Sequence, residues 1–215
     1  MRYFCDFQLV QLAIVFKKDL PSGKLAVWEM IESPDELYPQ LRCEVPIFHN
    51  NKQRNLEWVS SRILLQSMVE ENFKIEKDEF GKPHLSNSDE QISLTHCQKF
   101  TAAIVSDRPT GVDIEHVNPR IERIASRFLN ASEAKFLRPY NSEERLQYLY
   151  AIWCAKEAVY KAYGRRAVDF ADHMNVLPFK FEERKLSLTL SKESEVNYTV
   201  AFELFDEHVL AYTVD

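Results

Sequence analysis

The 215 residues carry 33 acidic and 27 basic side chains, a formal charge of -6, and 4 glycines. A chain of this length buries about 70% of its unfolded surface without metals or disulfides to staple it. Its mild acidity argues against generic nucleic-acid binding, while leaving room for a local basic patch that holds phosphates or an acidic protein partner. Cys5, Cys43, Cys97 and Cys154 show neither metal-ligand spacing nor a small-domain disulfide framework, which points to a reducing compartment. The apolar stretch from Phe7 to Phe16 is interrupted by Gln8 and Gln11 and reads as a strand. No run approaches the roughly 20 apolar residues a membrane span requires. The expectation is a cytoplasmic protein that engages neither membrane nor nucleic acid.

Residues 8–17 and 24–30 read as an opening hairpin, with Pro21-Ser22-Gly23 supplying the turn. Pro34 and Pro39 bracket a short helix or loop. From Asn51 to Asn72 the period is helical, with Leu56, Val59 and Ile63 on one stripe and Trp58, Arg62, Leu65 and Val69 on the next. Arg62 can lay its stem on the core with its head in water, or reach a phosphate. Phe80-Gly81-Lys82-Pro83-His84 is a loop, and strands follow at 91–95, 100–105 and 110–115. Two short helices are predicted at 120–129 and 131–138, then a long one at 142–163. Asn141 or Ser142 caps it, Glu143 and Glu144 suit its first turn, and Gly164 ends it. Residues 186–190, 196–205 and 209–214 alternate as antiparallel strands. The fold class is thus α+β, in two similarly ordered α/β subdomains, 1–108 and 109–215. Each is a long helix on a mainly antiparallel sheet, which permits a ligand cleft between them.

The long helix carries the first chemical signal. Leu146, Tyr150, Trp153 and Tyr160 recur at helical spacing and bring Glu157 onto their side. An ionised carboxylate facing a core costs several kcal/mol, roughly, unless a cation, a hydrogen-bond network or a metal meets it. On the strand Gly111-Val112-Asp113-Ile114-Glu115 both carboxylates leave one face, and two like charges so placed repel unless something positive sits between them. Magnesium, which takes one or two carboxylates plus waters and phosphates, is the obvious candidate, although a solvated edge strand reads the same way. Lys161, four residues after Glu157, fits an ordinary helical ion pair. Lys156 lies on a different face and is expected in solvent. His96 alone reads as a hydrogen-bonded strand histidine.

Taken together, Gly111-Val-Asp-Ile-Glu115 and the later Trp153-Cys-Ala-Lys-Glu-Ala-Val-Tyr-Lys161 resemble the paired signature of the 4'-phosphopantetheinyl transferases, in the longer surfactin-synthetase-activating type. Arg62, Gly81-Lys-Pro83, Ile92-Ser-Leu-Thr-His96 and Ser132-Glu133 fall in that family's order. The resemblance implies a single-chain pseudodimer, a monomer that moves the phosphopantetheine arm of coenzyme A onto a serine of an apo acyl or peptidyl carrier protein. Adenosine 3',5'-bisphosphate leaves, and magnesium is required. It implies further that Asp113, Glu115 and Glu157 hold the metal and that Arg62, Lys82, Pro83, His96 and Lys161 grip the coenzyme. Asp113, Glu157 and Lys161 then form the catalytic group. His96 would contact the 3'-phosphate.

The serine proton can pass to Glu157 or to a metal-bound water. Thr95-His96-Cys97 stands where many relatives carry Ser-His-Ser. Adjacent strand residues point to opposite faces, so Cys97 and His96 do not make a nucleophilic dyad, and Cys97 is expected to pack. A metal-dependent phosphohydrolase and a non-catalytic coenzyme A or carrier binder are the rival readings.

Overall fold

The computed structural model describes residues 13–42, 51–69 and 73–214. Strands β1 (Ile14–Leu20) and β2 (Gly23–Glu29) form the opening hairpin, turning at Pro21-Ser22. After helix α1 (Pro34–Leu37), helix α2 (Lys52–Gln66) starts where the Asn51 side chain accepts the Arg54 N–H at 3.0 Å. Strands β3 (Ile75–Lys77), β4 (Pro83–Leu85), β5 (Gln91–Cys97) and β6 (Phe100–Ser106) complete a first sheet in the order β1-β2-β6-β5-β4-β3. Strand β7 (Val112–His116), helices α3 (Ala131–Phe136), α4 (Ser142–Tyr163) and α5 (Phe170–His173), and strands β8 (Met174–Val176), β9 (Lys185–Ser191), β10 (Glu195–Phe205) and β11 (His208–Thr213) follow. Their strands form a second sheet in the order β7-β11-β10-β9-β8.

One winding is used twice. A strand, a long helix and four strands (β2-α2-β3-β4-β5-β6) give the order β2-β6-β5-β4-β3. The run β7-α4-β8-β9-β10-β11 gives β7-β11-β10-β9-β8, antiparallel throughout. Strand β1 is the extra piece.

Period-two alternation sorts the side chains into four layers. Trp28, Ile92, Ala103 and Val105 turn toward Val59, Ile63 and Leu64 of α2, whereas Leu25, Val27, Phe100 and Ile104 meet Val112, Ile114, Leu210 and Tyr212 of the second sheet. The far face of that second sheet, including Val209, Ala211 and Phe202, packs on Leu149, Ile152 and Val159 of α4. The stack therefore runs helix, sheet, sheet, helix. Because Val112 and Ile114 fill the central seam, Asp113 and Glu115 leave the opposite face, toward α4.

Several expectations shift in detail. The first strand runs to Leu20, and residues 8–12 lie outside the described residues, as do Cys5 and Cys43. Helix α2 stops at Gln66, short of Asn72; residues 70–72 lie outside the described residues. The stretch predicted as a helix over 120–129 is a 3-10 helix, Pro119–Arg127. The long helix has the predicted ends, capped by Asn141, whose side chain accepts the Glu143 and Glu144 N–H groups, and closed by Gly164 at φ 70. Among the described residues, Cys97 and Cys154 are free thiols, and no helix is long and apolar enough to cross a membrane.

Candidate active site

The site begins with a close approach of backbones. A Cβ on Gly111 would sit 1.8 Å from the Ala158 carbonyl oxygen and 2.9 Å from the Ala162 nitrogen, so only glycine lets α4 lie on the start of β7. That contact sets Lys161 beside the strand. Its ammonium donates to Asp113 Oδ1 at 2.8 Å and to the Val112 carbonyl at 3.0 Å. Thr95 Oγ1 donates to the same Asp113 oxygen at 3.2 Å, from β5 of the other sheet. Asp113 is only 5% exposed, and its Oδ2 is buried with no protein donor. Two residues further along both strands, the Cys97 thiol lies 3.9 Å from Glu115 Oε2 and accepts the His116 N–H at 3.2 Å.

The carboxylates feel one another. Burial, then the Asp113 and Glu115 charges, push the Glu157 carboxyl up to about 7, with Lys161 opposing. Glu115 is raised by burial and by Asp113, while a Trp153 hydrogen bond and Lys161 pull the other way. Burial pushes the Cys97 thiol up to about 11, so it is no nucleophile at neutral pH and fits the packing role foreseen for it. Among the described residues no group of three or more His, Cys, Asp or Glu is gathered into a ready-made ion cage. The donors nonetheless suit a hard cation: all are carboxylate oxygens, one is a buried acceptor with no partner, and Asp113 destabilises the charged forms of both Glu115 and Glu157.

The residues expected to grip the coenzyme fall into two groups. Lys82 follows Gly81, which has φ +89, and its backbone N–H, like that of Phe80, is tied to Asp78 Oδ1. Its ammonium donates 2.8 Å to the Ala162 carbonyl near the end of α4, and burial lowers its pKa. Lys82 and Pro83 line a cavity of about 240 Å³ together with Ile92, Leu94, Tyr160 and Lys161. Arg62 and His96 line a separate concavity of about 640 Å³ with Arg54, Trp58 and Lys77. There the Arg62 guanidinium stacks 4.3 Å from the Trp58 ring centroid and donates to Ser61 Oγ at 3.0 Å.

One sequence expectation is overturned. Lys156, expected in solvent, is completely buried. Its ammonium donates to Glu133 Oε2 at 2.7 Å and to the Phe128, Phe170 and Met174 carbonyls at 2.6, 2.9 and 3.1 Å. The helix face it occupies is roofed by the 3-10 segment, α3 and the start of β8, short elements with little periodic signal. Glu133, already named in the family's order, is also the last member of the capping box opened by Asn130, whose side chain accepts the Glu133 N–H. Nothing in the pattern around Lys156 marked it. Arg54, Glu57 and Lys77 were likewise not singled out, because only the fold brings them to His96.

Residues 109–213 match the sequence profile of the 4'-phosphopantetheinyl transferase superfamily. A 4'-phosphopantetheinyl transferase of Bacillus subtilis is 30% identical over 88 residues, covering 40% of this chain and 39% of the relative. A second, gsp of Aneurinibacillus migulanus, is 26% identical over 103 residues, covering 48% and 43%. The chain thus spans less than half the length of these two relatives. The 4'-phosphopantetheinyl transferase AcpT of Salmonella typhimurium is 26% identical over 160 residues, covering 73% of this chain and 79% of the relative.

Proposed function

We propose that this chain, whose residues 109–213 belong to the 4'-phosphopantetheinyl transferase superfamily, transfers 4'-phosphopantetheine from coenzyme A to a serine of an apo acyl or peptidyl carrier protein. The observation that carries the reading is the Lys161–Asp113 pair at 2.8 Å, set among Glu115 and Glu157 on the wall shared with the Lys82 cavity. Its parts have separable tasks. The serine hydroxyl attacks the β-phosphorus, the bond to the bridging oxygen of the pyrophosphate breaks, and adenosine 3',5'-bisphosphate departs with the negative charge that bond leaves behind. Lys161, cationic and aimed by Val112 and Asp113, stabilises that charge as it develops. Without a bound cation, burial and the Asp113 charge push the Glu157 carboxyl up to about 7, so it is one of the groups able to accept the serine proton.

Asp113, Glu115 and Glu157 would hold magnesium, which when bound supplies Lewis-acid neutralisation of the pyrophosphate. Lys82 and Pro83 take one end of the coenzyme, and Arg62 and His96 an outlying phosphate. Subdomains 1–108 and 109–215 supply the two walls of the cleft, so a monomer is the working unit, in the cytoplasm. The relatives' names are all those of transferases, which disfavours the phosphohydrolase reading.

The test is the mass of an apo carrier incubated with the protein, coenzyme A and magnesium. A gain of one phosphopantetheine is expected on at least one carrier of a mixed acyl and peptidyl panel. No gain on any of them, or release of phosphate without a carrier, refutes the transfer.

A further inference from the structure

We propose that Glu57 is a positioning residue that turns the His96 ring toward a phosphate; this rests on the reading of the Arg62–His96 concavity as part of the coenzyme site. An imidazole that gives its one hydrogen at Nδ1 to a carboxylate has only a lone pair at Nε2, and a lone pair repels phosphate. Only the imidazolium donates from both nitrogens. A ligand histidine here therefore needs a neighbour that fixes its ring so that Nε2 faces the ligand.

Glu57 is that neighbour. Its Oε2 lies 3.5 Å from His96 Nδ1, an ion-pair separation, which leaves Nε2 as the nitrogen available to a ligand. The carboxylate is itself fixed. Gln53 donates to Glu57 Oε1 at 3.0 Å and, from the same nitrogen, to the Gln98 carbonyl at 3.1 Å. Gln98 is a turn residue with φ 50 in the β5–β6 hairpin, so helix α2 is tied through Gln53 to the hairpin that presents His96. A carboxylate at the wall of an anion site would ordinarily weaken it. Here Arg54, Arg62 and Lys77 line the same concavity, so permanent cations outnumber Glu57 and the wall stays positive. With His96 half-exposed, the pair adds little to folding. Its consequence lies in what it does to the ring.

The experiment is a double-mutant cycle on the full chain with Glu57→Gln, His96→Ala and both, reading KM for coenzyme A, kcat with a carrier, and Kd for coenzyme A alone. Glu57→Gln keeps the size of the side chain and its contact with Gln53. It is expected to raise KM and Kd about five- to tenfold with kcat within about twofold, and to add less than about twofold in the His96→Ala background. An equal effect in both backgrounds, or none in the presence of His96, overturns the proposal. If the protein binds coenzyme A yet transfers nothing, the proposed function fails while the cycle on Kd still decides the role of Glu57. No binding of coenzyme A overturns both.

Discussion

Lys161 and Asp113, from a helix and a strand that meet at Gly111, are joined by a 2.8 Å ion pair in which the carboxylate is almost fully buried. Removing either partner has opposite electrostatic consequences. Lys161→Ala leaves Asp113 facing Glu115 and Glu157 without a cation, whereas Asp113→Ala removes the charge that raises both of them. Each variant is expected to lose about 10² or more in transfer rate, by the measure of other removed electrostatic stabilisers. Thermal melting in chelator separates the two: Lys161→Ala should melt below Asp113→Ala at neutral pH.

Glu157 is costly to the fold. Its carboxyl sits at about 7 in the native state against an ordinary 4.5. Between those values the folded protein keeps a proton that the unfolded chain releases, so its contribution to stability falls as pH rises through the window. Glu157→Gln never ionises. In chelator it should melt with no advantage over the parent near the acid end of that window and with a growing advantage up to about pH 8, while losing about 10² or more in transfer rate. A constant offset in melting temperature across the range would count against the buried, ionising carboxylate.

The site was largely legible where periodicity spoke. Alternation put Asp113 and Glu115 on one strand face, and helical spacing turned Glu157 inward and Lys161 to the same side. Those inferences need only local geometry. Two features needed the fold. Lys156 lies under short segments whose placement depends on tertiary contacts, so nothing local distinguished it from a solvated lysine. The division of the proposed coenzyme residues into a Lys82 cavity and an Arg62–His96 concavity is likewise a property of how α2 and α4 flank two sheets. The repeated winding, invisible as sequence similarity and foreshadowed only by a similar order of elements, is explicit in strand order.

Gly111 offers a test of the packing itself. Since a Cβ there would enter the Ala158 carbonyl at 1.8 Å and its carbon at 2.8 Å, the obstacle is helix backbone, which cannot rotate away as a side chain could. Gly111→Ala should force α4 off β7, separate Lys161 from Asp113 and cost about 3 kcal/mol or more, at the severe end for single substitutions. Urea denaturation measures the first effect and carrier modification the second. Wild-type values for both would show that the strand and helix do not bear on each other as described.

The Lys156–Glu133 pair supports a prediction about stability with little effect on chemistry. Burial lowers the Lys156 pKa and the Glu133 carboxylate opposes that shift. Glu133 also accepts the Asn130 and Val176 N–H groups at 2.9 and 2.7 Å, so it ties α3 and β8 to α4. Glu133→Gln leaves a buried ammonium held by neutral carbonyls alone, and breaking such a pair costs about 3–5 kcal/mol. With its partner gone the lysine pKa falls further below the ordinary 10.5. Between the folded and unfolded values the unfolded chain binds the extra proton, so the variant gains stability as pH rises. Its deficit against the parent should therefore shrink as pH rises toward the ordinary lysine value. Transfer rate per folded molecule should drop less than about tenfold, since neither side chain touches the reacting atoms. Denaturation across a rising pH series, paired with activity at low temperature where the variant remains folded, checks both halves. A deficit that does not change with pH would show that the lysine does not carry its charge into the fold.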